Sequence, residues 1–189
     1  MYRTHTSDET IRRYLDAARS HDALLLLNIQ PGRSSMTAEV QRLGKWLKEL
    51  DVGIALDPEW DVGPGQIPGF TYGNTDGTEI NTIAAHLDGI VAKNDLPQKV
   101  LVYHQVANGV VTNADAIKAH SGVAVVQSVD GIGSPGSKTE TYNAVMAGKP
   151  ATVHPGFKLF FEEDAALGPL MTPAEVLALK PQPEYVLYE

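Results

Sequence analysis

The feature that most constrains this chain is a set of six apolar runs of strand length, separated by segments with helix signals. Most runs are apolar at nearly every position, which is typical of strands covered on both faces and therefore of a mainly parallel sheet. They cover residues 24–29, 52–56, 100–103, 123–129, 157–161 and 185–188. The sequence therefore predicts repeated strand-then-helix units.

Helix signals occur between and before these runs. Residues 36–50 carry apolar side chains at spacings of three and four, and residues 7–19 carry an apolar stripe that needs a partner sheet. Three residue pairs have the spacing of a helix capping box, namely Asp76 with Glu79, Ser137 with Glu140, and Thr172 with Glu175. We expect a helix to begin near each pair.

A parallel sheet of such units is either a closed barrel or an open doubly wound sheet. A complete eight-fold barrel takes about 250 residues, whereas this chain has 189. We therefore predict a single α/β domain over residues 1–189, an incomplete TIM-like (β/α) barrel of about six units. The alternative is an open doubly wound parallel sheet.

Composition excludes several classes of protein. The net charge of −8 and the scattered Lys and Arg residues argue against a nucleic-acid partner. No apolar run reaches the roughly 18 residues that a membrane span needs. The absence of cysteine excludes disulfides, thiolate catalysis and cysteine-bound zinc.

In a parallel α/β fold, ligands bind beyond the carboxyl ends of the strands. Asp57 and Glu59 follow the second predicted strand, and as positions i and i+2 of an extended segment they are expected to face the same side. When two carboxyl groups lie this close together, the pKa of one of them is raised, as in glycosidases. The alternative interpretation is a turn with a helix-capping acid.

Further candidates follow the other strands. Asp130 ends the fourth predicted strand, and one of Glu162 and Glu163 is expected to face inward after the fifth. Candidate catalytic residues are therefore Asp57, Glu59, Asp130 and Glu162. Candidate substrate-binding residues are Asn28, Gln30, Arg33, Trp60, His104, Gln105 and Lys158. Trp46, Tyr72 and Tyr103 are further candidates for stacking on a sugar ring.

Residues 131–136 match the pattern G-x-G-x-x-G of nucleotide-binding loops. The acidic residue that a dinucleotide fold requires about 20 positions later is missing, so the segment is interpreted as a flexible loop, with anion binding as the alternative. His104, Asp57, Glu59 and Glu162 lack the spacing of known metal motifs. We predict neither a cofactor nor a metal.

Several segments resemble an uncharacterised actinobacterial family of secreted or lipoprotein-like barrel proteins. The similar segments cover nearly the whole chain and include residues 14–18, 27–34, 52–60, 62–66, 96–99, 128–131, 155–160 and 170–177. The resemblance implies a TIM-like barrel, further strands before residue 2, and an extracellular or cell-envelope location. Many members carry Asp where this chain has Asn28.

The converging acids favour a glycoside hydrolase that acts on an extracellular or cell-envelope polysaccharide. More distantly, the strand ending in Asp57-Pro-Glu59 is similar to the acid strand of barrel glycoside hydrolases, which implies Glu59 as proton donor and Asp57 as its modulator. The alternatives are a non-catalytic carbohydrate-binding or structural envelope protein, and a phosphodiesterase using Arg33, His104 and the loop at Gly131. An exposed sheet edge would also favour a homodimer.

Overall fold

The computed structural model describes residues 2–189 and contains a curled parallel sheet of six strands with helices between them. The strands are β1 (Leu25–Ile29), β2 (Val52–Leu56), β3 (Thr75–Asp76), β4 (Lys99–Gln105), β5 (Val111–Thr112), β6 (Val123–Val129), β7 (His154–Leu159) and β8 (Tyr185–Tyr188). The helices are α1 (Asp8–Arg19), α2 (Met36–Arg42), α3 (Gly77–Asn94), α4 (Pro135–Met146) and α5 (Pro173–Leu177).

The main sheet has the order β1-β2-β4-β6-β7-β8, and all its neighbouring pairs are parallel. The strand order follows the chain without the reversal that defines a doubly wound sheet. Within residues 2–189 the sheet is a half-barrel that is open at β1 and β8. The predicted repeated unit is confirmed, whereas closure into a TIM barrel and pairing with a second copy stay predictions.

The two faces of the sheet have different surroundings. On one face Ile54, Leu101 and Val125 pack against α3, where Ile83 and Leu87 are fully buried. Each fully buried side chain of this kind stabilises the fold by roughly 1.5–3 kcal/mol. The concave face carries a smaller apolar cluster of Ala55, Val102 and Val126, with Leu26, Val100 and Tyr185 packed around it.

A second apolar core lies where α4 and α5 cover the last strands. Tyr142 of α4 meets Phe157 of β7 edge to face, with ring centroids 5.5 Å apart. The Tyr142 hydroxyl donates to the carbonyl of Pro181 at 2.6 Å. Its only polar atom therefore has a partner although the ring is fully buried.

Most predicted helix starts agree with the structure. Ser7 caps α1, Asp76 caps α3, and Thr172 forms a complete capping box with Glu175. A helix also begins near Ser137, but α4 begins at Pro135 with Ser134 as its cap, so Ser137 is not the capping residue. Proline suits the first turn of a helix because that turn leaves its N–H groups unpaired, so the earlier start is favoured.

Two predicted elements have different lengths in the structure. The helix expected over residues 36–50 ends at Arg42, and a short 3-10 turn follows at Trp46–Lys48 after Gly44. The strand expected over 157–161 runs over His154–Leu159 instead, because Gly156 and Phe157 pair with strands on both sides. Among residues 2–189, no helix combines the length and apolar character needed to cross a membrane.

Candidate functional site

A group of polar side chains lies at the carboxyl ends of four neighbouring strands, in the half-barrel. Asp57 and Glu59 follow β2, His104 belongs to β4, Asp130 follows β6, and Lys158 belongs to β7. All five residues are buried, although four of them carry groups that can be charged at neutral pH. Burying such groups together is costly, so the arrangement points to a functional site.

The prediction that strand alternation places Asp57 and Glu59 on the same side was wrong. β2 ends at Leu56, and Pro58–Trp60 forms a single 3-10 turn, so strand alternation does not apply beyond Leu56. The turn nevertheless leaves both acids buried, with exposures of 4% for Asp57 and 8% for Glu59. Proline at the first position of the turn sets its backbone angle.

His104 lies between two of the acids. Its Nε2 is 4.0 Å from Oδ1 of Asp57, and its Nδ1 is 3.5 Å from Oδ2 of Asp130. Lys158 Nζ is 3.9 Å from Oδ2 of Asp130 and forms a closer 2.6 Å ion pair with the exposed Glu189. One imidazole ring therefore lies between the carboxyl groups of Asp57 and Asp130.

Two exposed amides connect Asp57 to a groove beside the free edge of the sheet. Asn28 Nδ2 donates to Asp57 Oδ2 at 2.7 Å, and the Gln30 side chain also hydrogen-bonds this carboxyl group. Both amides line a groove of about 410 Å³ between β1 and the segment before α1. The buried acids thus have a polar connection to a surface groove.

Burial raises the pKa of all three acids. Burial, reinforced by the charges of Asp130 and Asp57, raises the pKa of Glu59 to about 8. Burial raises the pKa of Asp130 to about 7, although Lys158 opposes the shift. The pKa of Asp57 is also raised by burial, but hydrogen bonds from Asn28 and Gln30 favour its charged form. At neutral pH Glu59 holds a proton, and Asp57 is the acid best supplied with donors.

His104 is neutral in this environment, since burial and the nearby Lys158 lower its pKa to about 3. Three polar atoms of the group have no hydrogen-bond partner among the described residues. They are Oε2 of Glu59, Nδ1 of His104 and Oδ1 of Asp130. Unpaired buried polar atoms are uncommon in folded proteins, and these three belong to residues of one group at the ends of neighbouring strands.

Glu162 lies outside this group. The expectation that Glu162 or Glu163 faces inward was wrong, because both are exposed in the turn after β7. Asp164 is the buried acid of this run, and its Oδ2 forms a 3.0 Å ion pair with Lys138 of α4. Side chains alternate between two faces along a strand but not along a turn. Strand alternation therefore did not predict which acid of this run is buried.

The other predicted binding residues lie around the group. The exposed Arg33 donates to the carbonyl of Gln66 at 2.6 Å, and Trp60 is partly exposed beside Glu59. Gln105 faces the opposite side of the sheet from His104, where its Oε1 accepts from Gln127 at 2.7 Å. Trp46 and Tyr103 are buried in the core, whereas Tyr72 is exposed.

The glycine-rich loop before α4 is already occupied by an internal carboxylate. The backbone N–H of Gly133 donates to Asp164 Oδ1 at 2.9 Å, and Lys138 Nζ donates to the carbonyl of Gly131 at 2.7 Å. Asp164 therefore stands where an external anion would bind. Arg33 is held on a different loop, by Gln66. These contacts do not favour the phosphodiesterase alternative.

Two charged residues beside the site were not assigned by sequence. Glu189 forms an ion pair with Lys158. The sequence signal for this pair is that Glu189 lies two residues beyond Leu187, which is the strand partner of Lys158. Asp61 has its pKa raised to about 6 by burial and by the charge of Glu79. Nothing in its local sequence indicates this shift, because Glu79 belongs to α3 and approaches Asp61 only through the fold.

Among the described residues, no three His, Asp or Glu side chains are arranged to hold a metal ion. Comparisons with family models, curated proteins and solved structures give no significant match to this chain. Functional inference therefore depends on the chemistry of the site itself.

Proposed function

We propose that this protein is a glycoside hydrolase that acts on an extracellular or cell-envelope polysaccharide. The observation that carries the proposal is the group of three buried acids around His104, in which Glu59 holds a proton at neutral pH. Hydrolysis of a glycosidic bond needs one carboxyl group that is protonated and another that is ionised. The resemblance to secreted barrel proteins supports the location of the substrate.

In this mechanism Glu59 protonates the glycosidic oxygen as the bond from that oxygen to the anomeric carbon breaks. Asp130 accepts a proton from the water that attacks the anomeric carbon, and Lys158 beside it favours the ionised form before the reaction. The amide donors favour the charged form of Asp57, and that charge helps to keep the pKa of Glu59 high. Neutral His104 separates the two aspartates.

Substrate reaches these acids along the groove beside β1. Asn28 and Gln30 form its end nearest Asp57, and amides of this kind bind sugar hydroxyl groups as donors and acceptors. The exposed Tyr14 contributes aromatic surface farther along the groove, whereas Trp46 behind it is buried. Trp60 is partly exposed next to Glu59 and offers a ring face near the bond that is cleaved.

The test is release of reducing ends from a panel of envelope and extracellular polysaccharides. Glu59→Gln and Asp130→Asn are expected to lower kcat by a factor of about 100 or more, because each removes a proton-transfer group. Glu163→Gln is the control, since this acid is exposed. A wild-type protein that cleaves no glycan in the panel, or a Glu59→Gln variant with full activity, would overturn the proposal.

The second candidate is a non-catalytic carbohydrate-binding or structural envelope protein. The burial of Glu59 and Asp130, which are 8% and 5% exposed, favours it because reacting groups must meet substrate. In that case glycans bind without sugar release, and Glu59→Ala leaves affinity nearly unchanged. Binding and turnover measured on the same glycan therefore separate the two functions.

A further inference from the structure

A loop of large exposed apolar side chains is attached to the backbone of Glu59. The aromatic loop, residues 62–73, follows the turn that contains Glu59 and Trp60. Within six residues it exposes Ile67, Phe70 and Tyr72, which are 44%, 89% and 62% accessible to solvent. Single exposed apolar residues are ordinary, but several together on one loop indicate a binding surface.

The base of the aromatic loop is closed by backbone hydrogen bonds next to the site. Gly73 N donates to the carbonyl of Glu59 at 2.7 Å, and Val62 N donates to the carbonyl of Gly32 at 2.9 Å. A side chain at Gly73 would lie 2.0 Å from the backbone oxygen of Asp61, so only glycine allows this close approach. The position of the loop is therefore tied directly to the turn that holds the proposed acid.

The loop is also ordered internally. Gly63 N donates to Gln66 Oε1 at 2.7 Å, and Arg33 holds the carbonyl of Gln66. Gly65 and Gly69 have positive φ angles of 82° and 83°, which suit tight turns. A surface that is ordered before binding loses little entropy when a ligand binds.

The chemistry of the loop favours a neutral sugar chain over other ligands. Residues 62–73 contain no charged side chain, whereas the chain as a whole is 20% charged. Aromatic rings such as Phe70 and Tyr72 offer apolar faces with a polar edge on the tyrosine, which suits the mixed apolar and hydroxylated surface of a sugar ring. Because the base of the loop is hydrogen-bonded to the backbone of Glu59, we expect the loop to bind the same glycan that the acids would cleave.

We infer that the aromatic loop is a binding subsite for a neutral glycan, with Phe70 and Tyr72 as the rings on which successive sugars stack. This inference rests on the proposed hydrolase function and specifies its substrate as uncharged beside Glu59. Phe70 and Tyr72 bind the sugar chain and take no part in proton transfer. Their loss is therefore expected to raise KM more than it lowers kcat.

The test measures binding separately from turnover, by affinity electrophoresis in gels that contain soluble β-glucan, α-glucan, mannan or arabinogalactan, with alginate as an anionic comparison. Wild type and the catalytically silenced Glu59→Gln variant are expected to be retarded by at least one neutral polymer. Combining Phe70→Ala with Tyr72→Ala should weaken that binding by about tenfold or more. Leu50→Ala is the control, because Leu50 is as exposed as Tyr72 but precedes β2 at the opposite end of the sheet.

The outcomes separate the subsite from the hydrolase. Binding that the double variant loses supports the subsite even if no sugar is released. Turnover that the double variant retains with unchanged KM overturns the subsite and leaves the hydrolase standing. The subsite is also overturned if the protein binds no neutral polymer or binds alginate more strongly. Self-association in sedimentation that the double variant abolishes overturns it as well, because the loop would then be a protein contact.

Discussion

The side-chain amide of Asn28 donates a 2.7 Å hydrogen bond to the carboxylate of Asp57, from the end of one strand to the end of its parallel neighbour. The donor is exposed and the acceptor is buried. This contact therefore favours the charged form of an acid whose pKa is raised by burial. It also links the surface groove to the buried acids.

Asn28→Ala is expected to raise the pKa of Asp57 further, because it removes a hydrogen bond that favours the charged carboxylate. The measurement is a titration of the Asp57 carboxyl carbon by NMR. Asn94→Ala is the control, since the Asn94 side chain binds the carbonyl of Ile90 in α3. An Asp57 pKa that stays constant in Asn28→Ala would contradict the assigned role.

Stability is expected to fall as pH rises from about 6.5 to 8. The pKa of Glu59 is about 8 in the folded state and near its ordinary value of about 4.3 in the unfolded state. Between these two pH values the folded state holds a proton that the unfolded state has released, so stability falls as pH rises. His104 acts in the opposite sense, but only between about 3 and its ordinary value near 6.5. Above about pH 6.5 His104 therefore no longer opposes the loss of stability from Glu59 and Asp130.

Glu59→Gln should remove much of this slope, because the amide cannot ionise. Each titrating group changes stability by up to about 1.4 kcal/mol per pH unit, which corresponds to a Tm change of about 3 to 5 °C for a chain of this size. Thermal unfolding of wild type and variant at pH 6.5, 7.25 and 8 measures the difference. Parallel curves for the two proteins would count against the raised pKa, and Glu140→Gln on the exposed face of α4 is the control.

The buried ion pair of Lys138 and Asp164 is expected to make a large contribution to stability. Asp164 also accepts from the backbone N–H groups of Gly133 and Phe160, each at 2.9 Å. Asp164→Ala leaves a buried ammonium group without its partner and is expected to lower the free energy of unfolding by about 3–5 kcal/mol. Urea unfolding compares it with Glu163→Ala at the exposed neighbour, which should change stability by less than about 0.5 kcal/mol.

Two glycines should respond to alanine in opposite directions. A methyl group at Gly53 would lie 2.5 Å from the carbonyl oxygen of Val100, so Gly53→Ala must displace the backbone of β4 and should cost about 1–3 kcal/mol. At Gly89, inside α3, nothing lies within 4 Å of the added methyl group, so Gly89→Ala should stabilise the helix by up to about 1 kcal/mol. Urea unfolding of both variants is the measurement, and equal signs would contradict the packing described.

Much of the sheet is predictable from local pattern. The runs at 52–56, 123–129 and 185–188 match β2, β6 and β8 residue for residue. Each run is apolar at most of its positions, which is the local signal of a strand in a parallel sheet. β7 is less predictable, since it begins with His154, Pro155 and Gly156. These residues have low strand propensity and are extended because β6 and β8 pair with them.

The sequence by itself determined that this chain forms parallel strands with acids at their carboxyl ends, because burial pattern and residue type are local properties. Only the tertiary structure decided which acids meet. Asp130 approaches the acids of β2 because the curled sheet brings the ends of β2, β4 and β6 together around His104. Glu162 stays exposed because the chain turns away after β7, and the direction of a turn depends on the contacts that hold it.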